Sequence, residues 1–158
     1  MAGARWALAT GIAVVALAWS SLLVTTPRWR GQGGVTALGA ALVYAVGDRV
    51  CHQRPERSFA VGGTPMPVCA RCSGLYLSGT LGALLGLAWS LSSRGRHTDT
   101  AARWRWALVA SAVPTGLSWL AEVTTLAEPS MLVRALCAVP LGVVTGWICI
   151  RAATGALR

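Results

Sequence analysis

Lysine is absent: all fourteen basic residues of the 158 are arginine, which we read as the codon bias of a GC-rich genome. Acids are scarce as well, five against those fourteen, leaving a formal charge of +9. In a soluble protein that excess would point to nucleic acid. Here the arginines flank apolar runs and form no basic stripe, so the expected partner is the lipid bilayer with its anionic headgroups, and no nucleic acid. Charged residues make up 12% and hydrophobic residues 54%, outside the balance of a soluble domain of this size. No nucleotide-binding loop, hydrolase triad or haem attachment motif occurs. Acids within the apolar runs are too few for a proton-coupled pathway.

What the chain does have is length of apolar sequence. A bilayer-crossing helix needs about 20 such residues. Trp6 to Thr26, Leu75 to Leu91, Trp106 to Leu126 and Met131 to Ile150 meet that need. A shorter run, Val35 to Val50, carries its charges, Asp48 and Arg49, at its end and reads as a thin span, a re-entrant helix or an interfacial one. The fold class is therefore all-α: a single membrane domain over 1–158, a polytopic helical bundle of four or five spans. The first run continues past "ALA" at Ala16 to Ala18 without a polar break, so we read it as a retained span and not a cleaved signal.

The loop from Ser92 to Arg105, with Arg94, Arg96, Arg103 and Arg105, belongs in the cytoplasm under the positive-inside rule. His97 in that loop reads as solvated. The Cys51 to Gly74 segment then emerges outside the cytoplasm. A fifth span over Val35 to Val50 would bring Arg28 and Arg30 inside, so counting charges favours five spans over four. Arg49, Arg54, Arg57 and Arg71 fall outside in this arrangement. Either structure ties up their charges or the orientation is reversed.

Lipid gives helices no hydrophobic reason to associate, so small residues that allow close backbone contact take over. Gly82/Gly86 and Gly142/Gly146 are both G-x-x-x-G, and Gly74, Ser78, Gly82 and Gly86 form a stripe. These serve packing within the bundle or a homo-oligomer. Pro114 and Pro140 should kink the last two runs or free a carbonyl. Glu122 and Arg134, near the ends of one helical hairpin, either pair across it or face the headgroups.

The chemistry is concentrated between the second and third long stretches, in "CHQRPERSFAVGGTPMPVCARCSG". C-x-x-C at Cys69 and Cys72, with Cys51 and His52 arriving from a separate segment, matches the plan of a zinc site with a Cys3His ligand set. Adjacent residues diverge by about 100° on a helix, so Cys51 and His52 share an ion only if the helix ends there. Pro55 makes that ending plausible. Asp48, four residues before His52, would then hold its far ring N–H. The same Cys69 and Cys72, at the start of a helix and beside Arg71, could instead form a thiol–disulfide oxidoreductase pair. A structural disulfide in a transporter or scaffold is the third reading. Gly62, Gly63, Pro65 and Pro67 are turn residues. Phe59, Val61 and Met66 could dip into the interface while Arg54, Arg57 and Arg71 contact anions or lipid. Alternatively, Glu56 knots Arg54 and Arg57 locally. Cys137 and Cys149 read as small apolar residues.

C-H-Q-x-P-x-R-S-F followed by C-x-R-C-x-G, carried by Cys51, His52, Gln53, Pro55, Arg57, Ser58, Phe59, Cys69, Arg71, Cys72 and Gly74, resembles an uncharacterised family of prokaryotic integral membrane proteins, domain-of-unknown-function family number two thousand and eighty-five. The resemblance implies the inner (cell) membrane of a prokaryote and a role for the motif. It also implies an acid shortly after the proline of the third run; Ser118 stands there, with Glu122 one turn later.

Overall fold

The computed structural model describes residues 2–92 and 100–156, so Arg94, Arg96, His97 and Arg158 lie outside the described residues. Five helices follow in order: α1 (Ala2–Trp29), α2 (Gly34–Val50), α3 (Ala70–Ser92), α4 (Ala101–Val123) and α5 (Met131–Ala153). Between α2 and α3 lie a single 3-10 turn, Pro55–Arg57, and a short ribbon of β1 (Ala60–Val61) and β2 (Thr64–Pro65). α1, α3, α4 and α5 are each long and apolar enough to cross a membrane, and the chain is an all-α helical bundle.

α1 runs antiparallel to α3. Its Ala9 and Ala13 pack near Ala83 and Ile150 toward one end, and its Leu23 meets Met66 and Val68 at the other. Between them the Ser20 and Thr80 hydroxyls hydrogen-bond at 2.7 Å, and Thr80 Oγ1 donates to the Ala16 carbonyl at 2.9 Å. α3 and α5 run parallel with their backbones touching. A Cβ at Gly74 would overlap the backbone of Ala135, one at Gly82 that of Val143, and one at Gly146 that of Gly79 and Ala83. Both G-x-x-x-G motifs thus meet each other within one chain, where dispersion contacts between backbones stand in for the missing hydrophobic effect. α4 returns antiparallel to α5, and Thr115 Oγ1 donates to the Cys137 carbonyl at 2.8 Å.

The five-span count favoured by the charges gives way to four. α2 has 17 residues, a rise of about 26 Å, short of the ~30 Å hydrocarbon core. α1 already ends at the end of the bundle where α3 begins, and α2 finishes at Cys51 beside that same start. A helix that leaves and rejoins one end does not cross. α2 is held there by Tyr44, whose hydroxyl donates to the Pro65 carbonyl and whose ring lies 4.8 Å beneath the Arg30 guanidinium. Val35, Leu38, Leu42, Val46 and Val50 all point outward on it. An apolar face so exposed suits a helix lying at the boundary of headgroups and acyl chains.

Candidate metal centre and its arginine cluster

α2 unwinds after Val50. Cys51 takes the extended conformation, φ −151° and ψ 140°, while its N–H still reaches the Gly47 carbonyl at 2.8 Å. Gly47 is required at this point, because a Cβ there would collide with the Pro67 carbonyl and the Gln53 side chain. Its absence lets the end of α2 lie against the chain entering α3. Cys69 caps α3: its carbonyl accepts the Ser73 N–H at 2.8 Å, and its own N–H donates to Cys51 Sγ at 3.2 Å. Cys72 follows within the first turn. The Sγ atoms of Cys51, Cys69 and Cys72 consequently lie within 4.8 Å of one another. The hydrogen bond from the Cys72 side chain, aided by backbone N–H groups and Cys51, holds the Cys69 thiol down at about 5 against the opposing effect of burial.

His52 is not in that group. The helix does end where the sequence required it to, but it ends into extended backbone, where successive side chains point to opposite faces. Cys51 therefore turns in and His52 turns out, exposed. Asp48 is exposed too, and no hydrogen bond joins it to His52 among the described residues. The i, i+4 geometry that would have paired them needs a helix running on to residue 52. Cys137 and Cys149 sit in α5, apart from the cluster.

The loop forms a floor under the sulfurs. Gly62 and Gly63 have φ of 59° and 78°, and Val61 pairs with Thr64 across them. Two consecutive positive φ values make the tight hairpin turn that β-ribbons favour, and glycine takes them without strain. The turn folds Phe59, Val61 and Met66 back onto Leu23 and Val68, where Cys51, Cys72 and Tyr76 also pack. The sequence allowed those three side chains to dip into the interface; they pack in the protein's own core instead.

Beside the thiols stands Glu122, near the end of α4, its side chain only 7% exposed. Three guanidiniums converge on it: Arg57 from the loop at 2.5 Å, Arg71 from α3 at 3.1 Å and Arg134 from α5 at 3.4 Å. Arg71 also donates to Ser118 Oγ at 3.3 Å, so it spans both the position where an acid was expected and the acid that is present. Of the two readings of Glu122 and Arg134, the pair across the hairpin is the one that forms. The local knot with Glu56 does not, since Arg57 reaches across to α4. A cavity of about 320 Å³ is lined by the three cysteines together with Arg54, Arg57, Arg71 and Arg134, and is bordered by His52 and Trp119. Sequence reasoning missed Trp119 and the convergence on Glu122. The available signal was Ser118 and Glu122 at four-residue spacing on one face of α4.

A family model described as "Predicted membrane protein (DUF2085)" matches residues 51–148, opening at Cys51 and running through most of α5. An uncharacterised protein of Methanocaldococcus jannaschii is 46% identical over 43 residues, 27% of this chain and 28% of that protein. One from Methanothermobacter thermautotrophicus is 54% identical over 28 residues, 18% of this chain and 25% of that protein. The chain thus spans about a quarter of the length of the curated relatives it matches. No solved structure matches. With its thiol cluster, two of its four long apolar helices and most of a third inside the matched segment, the chain belongs to the DUF2085 family of predicted membrane proteins.

Proposed function

We propose that this is a metal-binding membrane protein, with zinc held by Cys51, Cys69 and Cys72 at the surface of the bilayer. One observation carries the reading: three sulfurs from two separate segments lie within 4.8 Å of one another. In a tetrahedral zinc–thiolate site, with Zn–S near 2.3 Å, the sulfurs stand about 3.8 Å apart, so an inward shift of about 1 Å or less suffices. The N–H donated to Cys51 Sγ by Cys69 at 3.2 Å ties the two segments together at the sulfurs. Three sulfurs leave a tetrahedral ion one ligand short. Water, His52 after a local shift, or a molecule in the cavity would complete it. With water or a cavity ligand in that place the site is open, the type that performs chemistry; with His52 it is closed and structural. Asp48 has a part only in the closed form.

A second reading, a thiol–disulfide oxidoreductase, draws support from the position of Cys69 and Cys72 on the cap and first turn of α3. A disulfide that only staples the loop of a transporter or scaffold uses the same sulfurs. Metal content of the detergent-purified chain, measured by mass spectrometry with a free-thiol count, separates these. Zinc near one per chain, lost in Cys72→Ser, is the expected result. No metal, with two thiols recoverable only after reduction, overturns the zinc reading and leaves the disulfide ones.

We further propose that the site faces the outside of a prokaryotic cell membrane. Arg5, Arg103, Arg105 and Arg151 gather at the opposite end of the bundle, as a cytoplasmic end would require. After chelation, a membrane-impermeant thiol reagent should label these cysteines in intact cells. Labelling only after lysis would reverse the orientation.

A further inference from the structure

We propose that the cavity beside the thiols binds a phosphate-type oxyanion, held by Arg71 and Arg134 with Arg54 and Arg57 completing the cradle. The inference rests on the arginines and not on the metal, so it goes beyond the reading above. Three guanidiniums share one carboxylate, leaving an excess of two positive charges in a place where Arg71 and Arg134 are largely withdrawn from water. Buried charge that lacks an opposite partner is costly, and structures keep it where an anion completes it. Four arginines line the 320 Å³ cavity and no carboxylate does; Glu56, Glu122 and Glu128 line the adjoining groove, which Arg57 and Arg134 also border. Nε of Arg71 and Nε of Arg134 are both buried and find no acceptor among the described residues. Arg54 makes no ion pair among those residues and is exposed at the rim.

The ligand class follows from geometry and charge. A guanidinium is a planar fork that pairs two donors with two oxygens, and a tetrahedral phosphate offers such pairs in several directions at once. The excess of two charges matches a phosphate better than a chloride. A water occupies roughly 30 Å³, so the cavity holds a phosphate group with part of a substituent. Trp119 borders it at the ends of α3, α4 and α5, and tryptophan at a span's end marks headgroup depth. The phosphate therefore comes either from solution or from an anionic phospholipid headgroup.

The full chain, purified in a neutral detergent without phosphate, gives the test. Its melting temperature is followed by tryptophan fluorescence against sodium phosphate, with sodium chloride at matched ionic strength. A parallel titration adds phosphatidylglycerol or an uncharged diacylglycerol. A saturable rise with phosphate supports a soluble phosphate ligand; a rise with phosphatidylglycerol alone supports the headgroup as the source. No rise beyond chloride and diacylglycerol overturns the proposal. Arg71→Gln should weaken binding about tenfold or more, since it removes charge-assisted hydrogen bonds. Arg71→Lys keeps the charge, loses the fork and should fall between. Arg54→Gln, outside the ion-pair hub, should weaken binding a few-fold while leaving the melting temperature without ligand unchanged, so the outcome does not depend on a variant that fails to fold. Undiminished binding in both glutamine variants overturns the assignment of these residues. Cys72→Ser should keep phosphate binding whether or not it loses metal, which separates failure of this site from failure of the metal reading.

Discussion

Between α3 and α5 the chain omits side chains so that backbones touch; at the end of those same helices it brings long side chains from three segments to one carboxylate. The seam depends on what is missing at Gly74, Gly82, Gly142 and Gly146, where an added Cβ would overlap the partner's backbone. The hub depends on reach: Arg57, Arg71 and Arg134 extend to Glu122 from the loop, α3 and α5. Packing of the first kind is close to all-or-none, because backbone cannot move aside. The second kind is graded, since each arginine sees a different amount of water. The hub also depends on the seam. Arg71 stands three residues before Gly74 and Arg134 one before Ala135, so the closest approach of the two backbones fixes how far apart the two guanidiniums start.

The largest loss should come from the hub's centre. Glu122→Gln leaves three cations around a neutral amide, and removing one partner of a buried ion pair costs about 3–5 kcal/mol. Reversible unfolding in mixed micelles measures it. The double change with Arg134→Gln should cost less than the sum of the singles by about 1–3 kcal/mol. Strict additivity would mean the pair does not interact. Added phosphate should restore part of the Glu122→Gln stability if an anion completes the cluster. The seam ranks next. Gly82→Ala drives a methyl into the Val143 backbone and should cost about 1–3 kcal/mol, as overpacking does. Gly79→Ala is the control. Its added methyl meets the Gly142 carbonyl oxygen at 3.6 Å, an ordinary contact, and should change stability by about 0.5 kcal/mol or less. Equal effects at the two positions would show that the seam is not set by backbone contact.

The seam was legible in the sequence because G-x-x-x-G encodes a helix face locally, and both members carry it. The C-x-x-C pair was legible for the same reason. Bringing Cys51 to it was a reasonable inference from the loop between them, since ligands from two segments are how zinc sites are built. His52 was not legible, because its direction turns on whether the chain leaves α2 as helix or extended strand. The number of spans also failed to follow from charge. Counting arginines assumes that each is free to choose a side, whereas Arg57, Arg71 and Arg134 are bound to Glu122 and Arg30 stacks on Tyr44. That Arg57 seeks Glu122 across the bundle, and not Glu56 beside it, needed the tertiary fold.

Arg57 and Arg134 address the same oxygen of Glu122, and their difference in exposure offers the finest test of a graded hub. The Arg57 side chain is 40% exposed and that of Arg134 only 11%, although Arg57 stands nearer, 2.5 Å against 3.4 Å. If distance ruled, Arg57→Gln would be the more damaging change. Water screens an exposed pair and rehydrates the freed partner, so such pairs contribute about 0.2–1 kcal/mol. Arg57→Gln should therefore lower the unfolding free energy by no more than that, and less at high salt. Arg134→Gln should cost more and respond little to salt, because its surroundings exclude the ions that would screen it. The salt series is the deciding measurement. A parallel decline in both variants would mean the hub is open to water throughout, and its three arginines would then be ordinary surface charges.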